Sequence, residues 1–281
     1  MTLSPRQVAD LLDEHGLSPS RALGQNFVTD PNTVRRIARL AGIGAGDRVV
    51  EIGPGLGSLT LALAETEASV TAVEIDRHLV PVLRGVVAGT GVRVVQGDAM
   101  ALDWDALLGT AERWVMVANL PYNVATPLVA DLLDGVPQIS RMLVMVQREV
   151  GERLAAGVGD DAYGAVSVKV GYWARAAVAG RVPAAVFVPQ PRVSSVLVSI
   201  IRRDRPAVDP DLIGPAELFA LVRAGFGHRR KMLRRSLAGM VGANGFAAAG
   251  IDPTMRAEDL DVEAWGRLAV AAAGPAPAGV G

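Results

Sequence analysis

The strongest constraint on the fold is an alternation of apolar strand patterns with helical patterns, which starts near Asp47. Five apolar runs end at residues 52, 75, 98, 119 and 147, and segments with helical periodicity separate most of them. Because strands that alternate with helices form βαβ units, this pattern predicts a parallel sheet with helices on both faces. Ligands of such sheets bind at the carboxyl ends of the strands.

Further helices and strands flank this alternation. Asp30 and Pro31 are typical of an N-cap and a first helical residue. The other predicted elements are helices at 5–15, 31–41, 148–156 and 163–173, strands at 174–182 and 194–202, and a helical region from 215 to about 272. We therefore expect a first domain at 1–205, which includes a helical arm at 1–45, and a small helical domain at 206–281 with a flexible tail.

Composition excludes several classes of protein. The 281 residues contain no cysteine, which excludes disulfides, thiolate nucleophiles and cysteine metal sites. The three histidines are scattered along the chain, and we expect no metal. No apolar run approaches the roughly 18–20 residues that span a bilayer, and the N-terminus lacks the apolar core of a signal peptide. We therefore expect a cytoplasmic protein without a membrane partner.

Charge is unevenly distributed along the chain. The net charge is −1, yet residues 165–240 contain 13 Lys and Arg against 4 Asp and Glu. That region carries +9, so the remainder carries −10. Such asymmetry predicts contact with a polyanion, and the alternative is a solvated basic face.

A glycine-rich loop follows the first of these strands. The sequence EIGPGLG, residues 51–57, places glycines where a tight turn brings the backbone close to a ligand. Its G-x-G-x-G spacing is neither the dinucleotide fingerprint nor a Walker loop. Glu74 and Asp98 end the next two strands, where they suit ribose hydroxyls and an adenine amino group. The set fits a nucleoside ligand such as S-adenosylmethionine, and the alternative is a tight turn with N-capping acids.

The fourth strand ends in Asn-Leu-Pro-Tyr, residues 119–122. An exocyclic amine such as adenine N6 is a poor nucleophile because its lone pair is delocalised into the ring. The side-chain oxygen of Asn119, with the backbone carbonyl of Leu120 or Pro121, supplies two acceptors that hold such a nitrogen in line with a methyl donor. Tyr122 suits stacking on an unpaired base. The alternative is an ordinary strand-ending turn.

These residues together resemble the ribosomal RNA adenine dimethyltransferase family, most closely its bacterial small-subunit branch. The resemblance runs from about Leu23 to Leu237 and rests on LGQNFVTDP, VVEIGPGLGSLT, VTAVEID, GDAM, VANLPYNVATPL, MVQREVGERL, YGAVSV, VFVPQPRVSSVLV and FGHRRKMLRRSL. It implies a Rossmann-like α/β fold of S-adenosylmethionine-dependent methyltransferases, with a seven-stranded, mostly parallel sheet and a helical C-terminal domain. It also implies dimethylation of N6 on two adjacent adenines in a hairpin near the 3′ end of small-subunit rRNA.

The resemblance implies roles for individual residues. Asn119 and Tyr122 would bind the target adenine and Phe187 would stack on its other face, with burial as the alternative for Phe187. Leu120 and Pro121 complete this predicted catalytic set. The implied S-adenosylmethionine site, which releases S-adenosylhomocysteine, consists of Gln25, Asn26, Val28, Gly53, Gly55, Glu74, Ile75, Asp98, Ala99 and Asn119.

The segment FGHRRKMLRRSL resembles a basic helix that the family uses toward rRNA. Phosphate contacts of this kind supply affinity and orientation rather than base reading. Family members often have Gln where His228 stands and Asn near Arg235, so this segment is more basic. The segment before GQNF carries only Arg21, which weakens the prediction of an N-terminal RNA contact. The predicted RNA-binding residues are Arg223, Arg229, Arg230, Lys231, Arg234 and Arg235.

The sequence therefore predicts an rRNA (adenine-N6,N6)-dimethyltransferase that acts as a monomer on a 30S assembly intermediate during ribosome biogenesis. One alternative is a large-subunit rRNA adenine N6-methyltransferase of the antibiotic-resistance type. Leu120, the segment FVPQPRVSS and the basic segment favour the small-subunit interpretation. The other alternative is a small-subunit assembly factor whose main role is binding.

Overall fold

The computed structural model describes residues 2–20, 22–110, 113–121 and 124–274. The chain divides into two compact units. The first unit comprises Met1–Glu152 and Ala177–Arg202, and the second comprises Arg153–Ala176 and Arg203–Gly281. Residues 153–176 therefore group with the C-terminal part of the chain, whereas the sequence placed them in a domain at 1–205.

Nine strands are found within the described ranges, and seven of them form one sheet. The strands are β1 (Phe27–Val28), β2 (Arg48–Ile52), β3 (Ser69–Glu74), β4 (Arg93–Gln96), β5 (Trp114–Asn119), β6 (Ile139–Gln147), β7 (Ala174–Val182), β8 (Phe187–Val188) and β9 (Ser195–Arg202). The sheet order is β4-β3-β2-β5-β6-β9-β7. Strands β2 to β6 pair in parallel, and β9 is antiparallel to β6. The predicted mostly parallel α/β sheet is confirmed.

Helices lie before, between and after these strands. They are α1 (Pro5–Glu14), α2 (Pro31–Ala41), α3 (Ser58–Ala64), α4 (Leu79–Val86), α5 (Trp104–Leu108), α6 (Ala125–Gly135), α7 (Arg148–Ala155), α8 (Ala165–Trp173), α9 (Pro215–Gly227), α10 (Leu233–Ser236), α11 (Ala243–Ala249) and α12 (Val262–Ala273). Within the described ranges no helix has both the length and the apolar character that a bilayer crossing requires.

Local sequence signals explain where several helices begin. The Asp30 side chain accepts hydrogen bonds from the backbone N–H groups of Asn32 and Thr33, so it caps α2 as predicted. The sequence indicated a helix interrupted by Pro81. Because α4 begins only at Leu79, Pro81 falls in its first turn, where its missing N–H has no intrahelical partner to lose.

The predicted basic helix is wrong as a single element. Arg223 lies on α9, which ends at Gly227, and Arg234 lies on the short helix α10. The residues between them form a turn and an isolated bridge between Met232 and Arg256. The basic residues therefore sit on three local structures in the second unit.

Aromatic side chains build the core of the second unit. The ring of Tyr172 on α8 lies edge-on to Phe219 on α9, with centroids 5.2 Å apart. The ring of Phe226 lies 6.0 Å from Trp265 on α12, which is fully buried. These contacts explain why residues 153–176 group with the C-terminal helices, since α8 shares their apolar core.

Arg202, the last residue of β9, stabilises the carboxyl end of α6. Its Nε donates to the carbonyl of Ile139 at 2.9 Å, and its Nη atoms donate to the carbonyls of Leu132, Leu133 and Val136 at 2.9–3.1 Å. The last carbonyls of a helix lack intrahelical donors, and a guanidinium offers five N–H groups in one plane. One side chain therefore ties α6 to strands β6 and β9.

We expect Arg202→Met to lower the free energy of unfolding by about 2–4 kcal/mol, because it removes four hydrogen bonds from a charged, partly buried donor. Arg202→Lys should recover only part of the loss, since an ammonium cannot reach all four carbonyls. Urea unfolding monitored by circular dichroism measures both changes. Arg93→Met, at an exposed position, should stay within about 0.5 kcal/mol of the wild type. Equal midpoints for the Arg202 and Arg93 variants would contradict the assignment.

Candidate active site

The glycine loop lies at the carboxyl end of β2 and has a backbone that favours glycine. Gly53 and Gly55 have φ angles of +70° and +59°. A Cβ at Gly55 would lie 2.9 Å from the ring of Phe27. The positive φ angles favour glycine at both positions, and the Phe27 ring excludes a side chain at Gly55.

Glu74, at the end of β3, is held by the glycine loop and by its own turn. It is 3% exposed, and its two carboxylate oxygens accept from Gly55 N at 2.9 Å and Asp76 N at 2.8 Å. Burial raises the pKa of Glu74, and the bonds from Asp76 and Gly55 act in the opposite direction. The carboxylate is therefore fixed in place, with lone pairs left for further donors.

Glu51 is a site residue that the sequence analysis missed. It is 1% exposed on β2, and burial, with the nearby charge of Glu74, raises its pKa to about 8 against a smaller opposing effect of Thr60. Among the described residues its Oε2 has no hydrogen-bond partner, nor has Ser58 Oγ, and both residues line the same cavity. The available signal was a single charged residue inside the apolar run VVEI.

The Asn119 side chain is anchored in one orientation. Its Nδ2 donates to the backbone carbonyl of Asn26 at 2.9 Å. Because a carbonyl can only accept a hydrogen bond, this contact fixes which side of the Asn119 amide is the nitrogen. The other side, Oδ1, is an acceptor for a ligand in the cavity that Asn119 lines.

The residues that follow Asn119 differ in what their backbone can offer. Leu120 is 1% exposed, and its N–H donates to Met145 at the end of β6. The Pro121 carbonyl already accepts from Val124 N and Ala125 N, so it starts α6. The Leu120 carbonyl is therefore the better candidate for the predicted second acceptor. Tyr122 lies outside the described residues.

The predicted cofactor residues line two adjoining cavities in the first unit. The first contains the strand ends already described and the N-terminal residues Gln25, Asn26 and Val28. The second contains Asp98 and Ala99. Both are lined by Gly53, Ile75, Leu120 and Pro121, so they adjoin at the ends of β2, β3 and β5. The structure therefore brings the ten predicted cofactor residues together.

Phe187 lies apart from these cavities. Strand β8 pairs with β1, which places Phe187 opposite Val28, and the Phe187 side chain is 3% exposed within the core of the first unit. It lines neither cavity. Its stacking on a target base stays a prediction, and its burial matches the alternative given above.

The predicted RNA-binding residues are exposed, and Arg229 is held by an ion pair and a hydrogen bond within the second unit. Arg229 forms a 2.5 Å ion pair with Glu258, and its Nη2 donates to the carbonyl of Asp161 at 2.8 Å. The exposed residues of the set are Arg223, Arg229, Arg230, Lys231, Arg234 and Arg235. Over the part of the chain that the structure describes, no group of three or more His, Asp or Glu residues has the arrangement of a metal site.

Solved structures with a similar fold define the class of this protein. A dimethyladenosine transferase from Plasmodium falciparum matches with a TM-score of 0.71 and 24% identity, over 86% of this chain and 95% of the other. The 23S rRNA methyltransferase ErmE matches with a TM-score of 0.70 and 24% identity, over 87% and 98%. The fold is thus the Rossmann-like α/β fold of S-adenosylmethionine-dependent methyltransferases, as predicted.

Sequence comparison then gives the family. The profile of "Ribosomal RNA adenine dimethylase" matches residues 17–273. A protein of Cutibacterium acnes named ribosomal RNA small subunit methyltransferase A is 47% identical over 282 residues, which cover 96% of this chain and 94% of the relative. Its namesake in Kineococcus radiotolerans is 48% identical over 277 residues, with coverages of 95% and 90%. The chain belongs to the ribosomal RNA adenine dimethylase family and is a methyltransferase, which confirms the resemblance found in the sequence.

The raised pKa of Glu51 predicts a pH-dependent stability. A folded-state pKa of about 8 exceeds the ordinary value of 4.5, so the folded protein binds the proton more tightly than the unfolded chain. This contribution is complete below pH 4.5 and is lost as the pH rises through 8. We expect Glu51→Gln to match the wild type near pH 5 and to exceed its free energy of unfolding by about 2–4 kcal/mol near pH 9.

Thermal or urea unfolding of both proteins at several pH values measures this difference. Glu74 is present in both proteins, so the comparison reports Glu51 together with its charge interaction with Glu74. Parallel curves for the two proteins between pH 5 and pH 9 would contradict the prediction.

Proposed function

We propose that this protein uses S-adenosylmethionine to dimethylate N6 of two adjacent adenosines in a hairpin near the 3′ end of 16S rRNA, in a 30S assembly intermediate. The observation that carries the proposal is the anchored amide of Asn119, which presents an acceptor beside the glycine loop. The small-subunit names of the relatives support the choice of substrate. We expect a cytoplasmic monomer with a role in ribosome biogenesis.

The residues of the first unit fit S-adenosylmethionine. Glu74 is a buried carboxylate at the end of β3. Its remaining lone pairs would accept hydrogen bonds from ribose hydroxyls. Glu51 Oε2 and Ser58 Oγ are buried polar atoms, without partners among the described residues, that a polar ligand would satisfy. Asp98 uses Oδ1 for the backbone N–H of Met100, which leaves Oδ2 for an adenine amino group. When bound, the cofactor supplies a methyl group on a sulfonium, which leaves as a neutral thioether.

Catalysis by this chain would rest on positioning the target amine. Asn119 Oδ1 and the Leu120 carbonyl would accept the two N–H groups of adenine N6 and favour the positive charge that develops on nitrogen. The nitrogen forms its new bond to the methyl carbon as the carbon–sulfur bond breaks, and it then loses one proton to water. No general base is needed, because the proton leaves a cationic nitrogen.

A second methylation makes a further demand on the same two acceptors. The monomethylated amine has one N–H group left, so one acceptor suffices to hold it. The methyl group already attached needs apolar space, which the buried Leu120 and its neighbours can border. Tyr122 and Phe187 remain our candidates for stacking on the base.

The second unit would supply affinity for the rRNA backbone. Arg234 and Arg235 are exposed on α10, and hydrogen bonds from Leu233 and Arg234 to the backbone of Met255 and Pro253 hold that short helix in place. Exposed guanidinium groups on a fixed helix suit phosphates. Arg229 would contribute less, since Glu258 and Asp161 already bind it.

The large-subunit alternative is tested by comparing methyl transfer onto the two ribosomal subunits. The fold does not separate the two, because the dimethyladenosine transferase and ErmE structures match almost equally well. Transfer of tritiated methyl groups onto purified 30S and 50S subunits from a strain without this modification should label only 30S, with two adjacent dimethyladenosines by mass spectrometry. Label confined to 50S would reject the proposal.

We expect Asn119→Ala to lower kcat for methyl transfer at least 100-fold, because it removes an acceptor used in the transition state. Binding of 30S subunits should change less than about 3-fold, since phosphate contacts supply most of the affinity. If subunit maturation in cells were unaffected by this variant, binding would be the main role, which is the second alternative. Leu40→Ala, at an exposed position on α2, is the matched control and should retain full activity.

The two classes of arginine should respond differently to substitution. Arg234→Gln and Arg235→Gln should each weaken binding to 30S subunits and reduce the slope of log Kd against log salt by about 0.7–1. Arg229→Gln should instead lower the melting temperature and leave the salt slope nearly unchanged, because it breaks contacts within the second unit. Filter binding across a salt series, with thermal melts, measures both. The assignment fails if Arg229→Gln gives the largest change of slope.

A further inference from the structure

Gln25, predicted as a cofactor ligand, has both ends of its amide occupied by the protein. Its Oε1 accepts from the backbone N–H of Ser20 at 2.8 Å, and its Nε2 donates to Asp76 Oδ2 at 2.8 Å. The second bond joins residues 51 positions apart and is charge-assisted, which makes it one of the stronger kinds of hydrogen bond. Gln25 is thus a bridge between the segment 22–28 and the loop after β3.

Asp76 connects Gln25 to Glu74 and the glycine loop. Its Oδ1 accepts from His78 N at 2.9 Å, which fixes the carboxylate on the turn. Its own N–H donates to Glu74 Oε1 at 2.8 Å, and Glu74 Oε2 accepts from Gly55 N at 2.9 Å. Hydrogen bonds therefore run without interruption from Gln25 through Asp76 and Glu74 to the glycine loop.

The segment 22–28 also controls the orientation of Asn119. The carbonyl of Asn26, next to Gln25, is the acceptor that anchors Asn119 Nδ2. The Asn26 side chain donates to the carbonyl of Gly24, which stiffens the same stretch. A displacement of this segment would remove the anchor and free the Asn119 amide to rotate.

We propose that Asp76 is a positioning residue, which holds the segment 22–28 against the cofactor site through Gln25 and thereby fixes the Asn119 amide through Asn26. This inference rests on the function proposed above and deepens it. Cofactor affinity and the orientation of the Asn119 amide then depend on one hydrogen bond, from Gln25 Nε2 to Asp76 Oδ2. Asp76 lines neither of the two cavities, so its effect on the reaction is transmitted by Gln25 and Glu74.

A polarity swap across this hydrogen bond tests the proposal. Gln25→Glu places a carboxylate against Asp76 and removes the donor, so the segment should detach. Asp76→Asn alone replaces an acceptor by an amide that cannot satisfy both Gln25 and His78. In the double variant Gln25→Glu/Asp76→Asn, the new amide donates to the new carboxylate, which still accepts from Ser20 N. All three hydrogen bonds are restored with the central one reversed.

We expect Gln25→Glu to weaken binding of S-adenosylhomocysteine about 10-fold and to lower kcat on 30S subunits about 10-fold at saturating cofactor. Asp76→Asn should give a smaller loss in the same two quantities. The double variant should return to within about 3-fold of the wild type in both. Calorimetric titration measures the binding of S-adenosylhomocysteine, and steady-state methyl transfer at saturating cofactor measures kcat.

A control separates positioning from general stability. Asp252→Ala removes a similar surface turn in the second unit, where Asp252 accepts from Thr254 N and Oγ1. It should lower the melting temperature without changing cofactor affinity or kcat. A Gln25→Glu variant that melts earlier but binds cofactor and reacts like the wild type would overturn the proposal, and so would a double variant no better than the worse single one.

The same experiment distinguishes this inference from the function beneath it. If the wild type neither binds S-adenosylhomocysteine nor methylates 30S subunits, the proposed function fails. If the wild type does both and all three variants match it, only the role of Asp76 fails.

Discussion

The parallel register of β2, β3 and β5 is the constraint on which the site depends. Ile52 pairs with Val73 on one side and with Ala118 on the other, so all three strands end at one level. The residues that follow, including Gly53, Glu74 and Asn119, therefore lie side by side although they are far apart in the sequence. A register slip of one residue would turn every side chain of a strand to the opposite face and separate these groups.

Buried charge is the cost of that arrangement. Glu51 and Glu74 lie on neighbouring strands, and burial raises the pKa of each. Backbone N–H groups from Gly55 and Asp76 stabilise Glu74, whereas Glu51 Oε2 has no partner among the described residues. An unpaired buried polar group lowers stability, and a polar ligand that supplies a donor offsets the loss. Cofactor binding and folding stability should therefore be coupled at this end of the sheet.

The sequence predicted what local patterns encode and missed what long-range contacts decide. Apolar runs and glycine spacing located the strand ends, where Gly53, Glu74 and Asp98 line the two adjoining cavities. The pair of two-residue strands β1 and β8 was missed, because so short a strand shows no alternation. The bridge from Gln25 to Asp76 spans 51 residues and leaves no local pattern, so the sequence did not predict it. The basic segment was predicted as one helix from its resemblance to a basic helix of the family, whereas the segment is interrupted where Met232 pairs with Arg256.

The anchor of Asn119 explains why an amide, rather than a carboxylate, ends β5. The observed contact needs a donor toward the Asn26 carbonyl, the proposed function needs an acceptor toward the target amine, and an amide offers both on one planar group. A carboxylate would attract a developing cation more strongly, but it would repel the Asn26 carbonyl and lose its fixed orientation. In a reaction that proceeds by positioning alone, fixed geometry contributes more than extra charge. The choice of side chain at residue 119 thus follows from the contact with residue 26 as much as from the chemistry of the substrate.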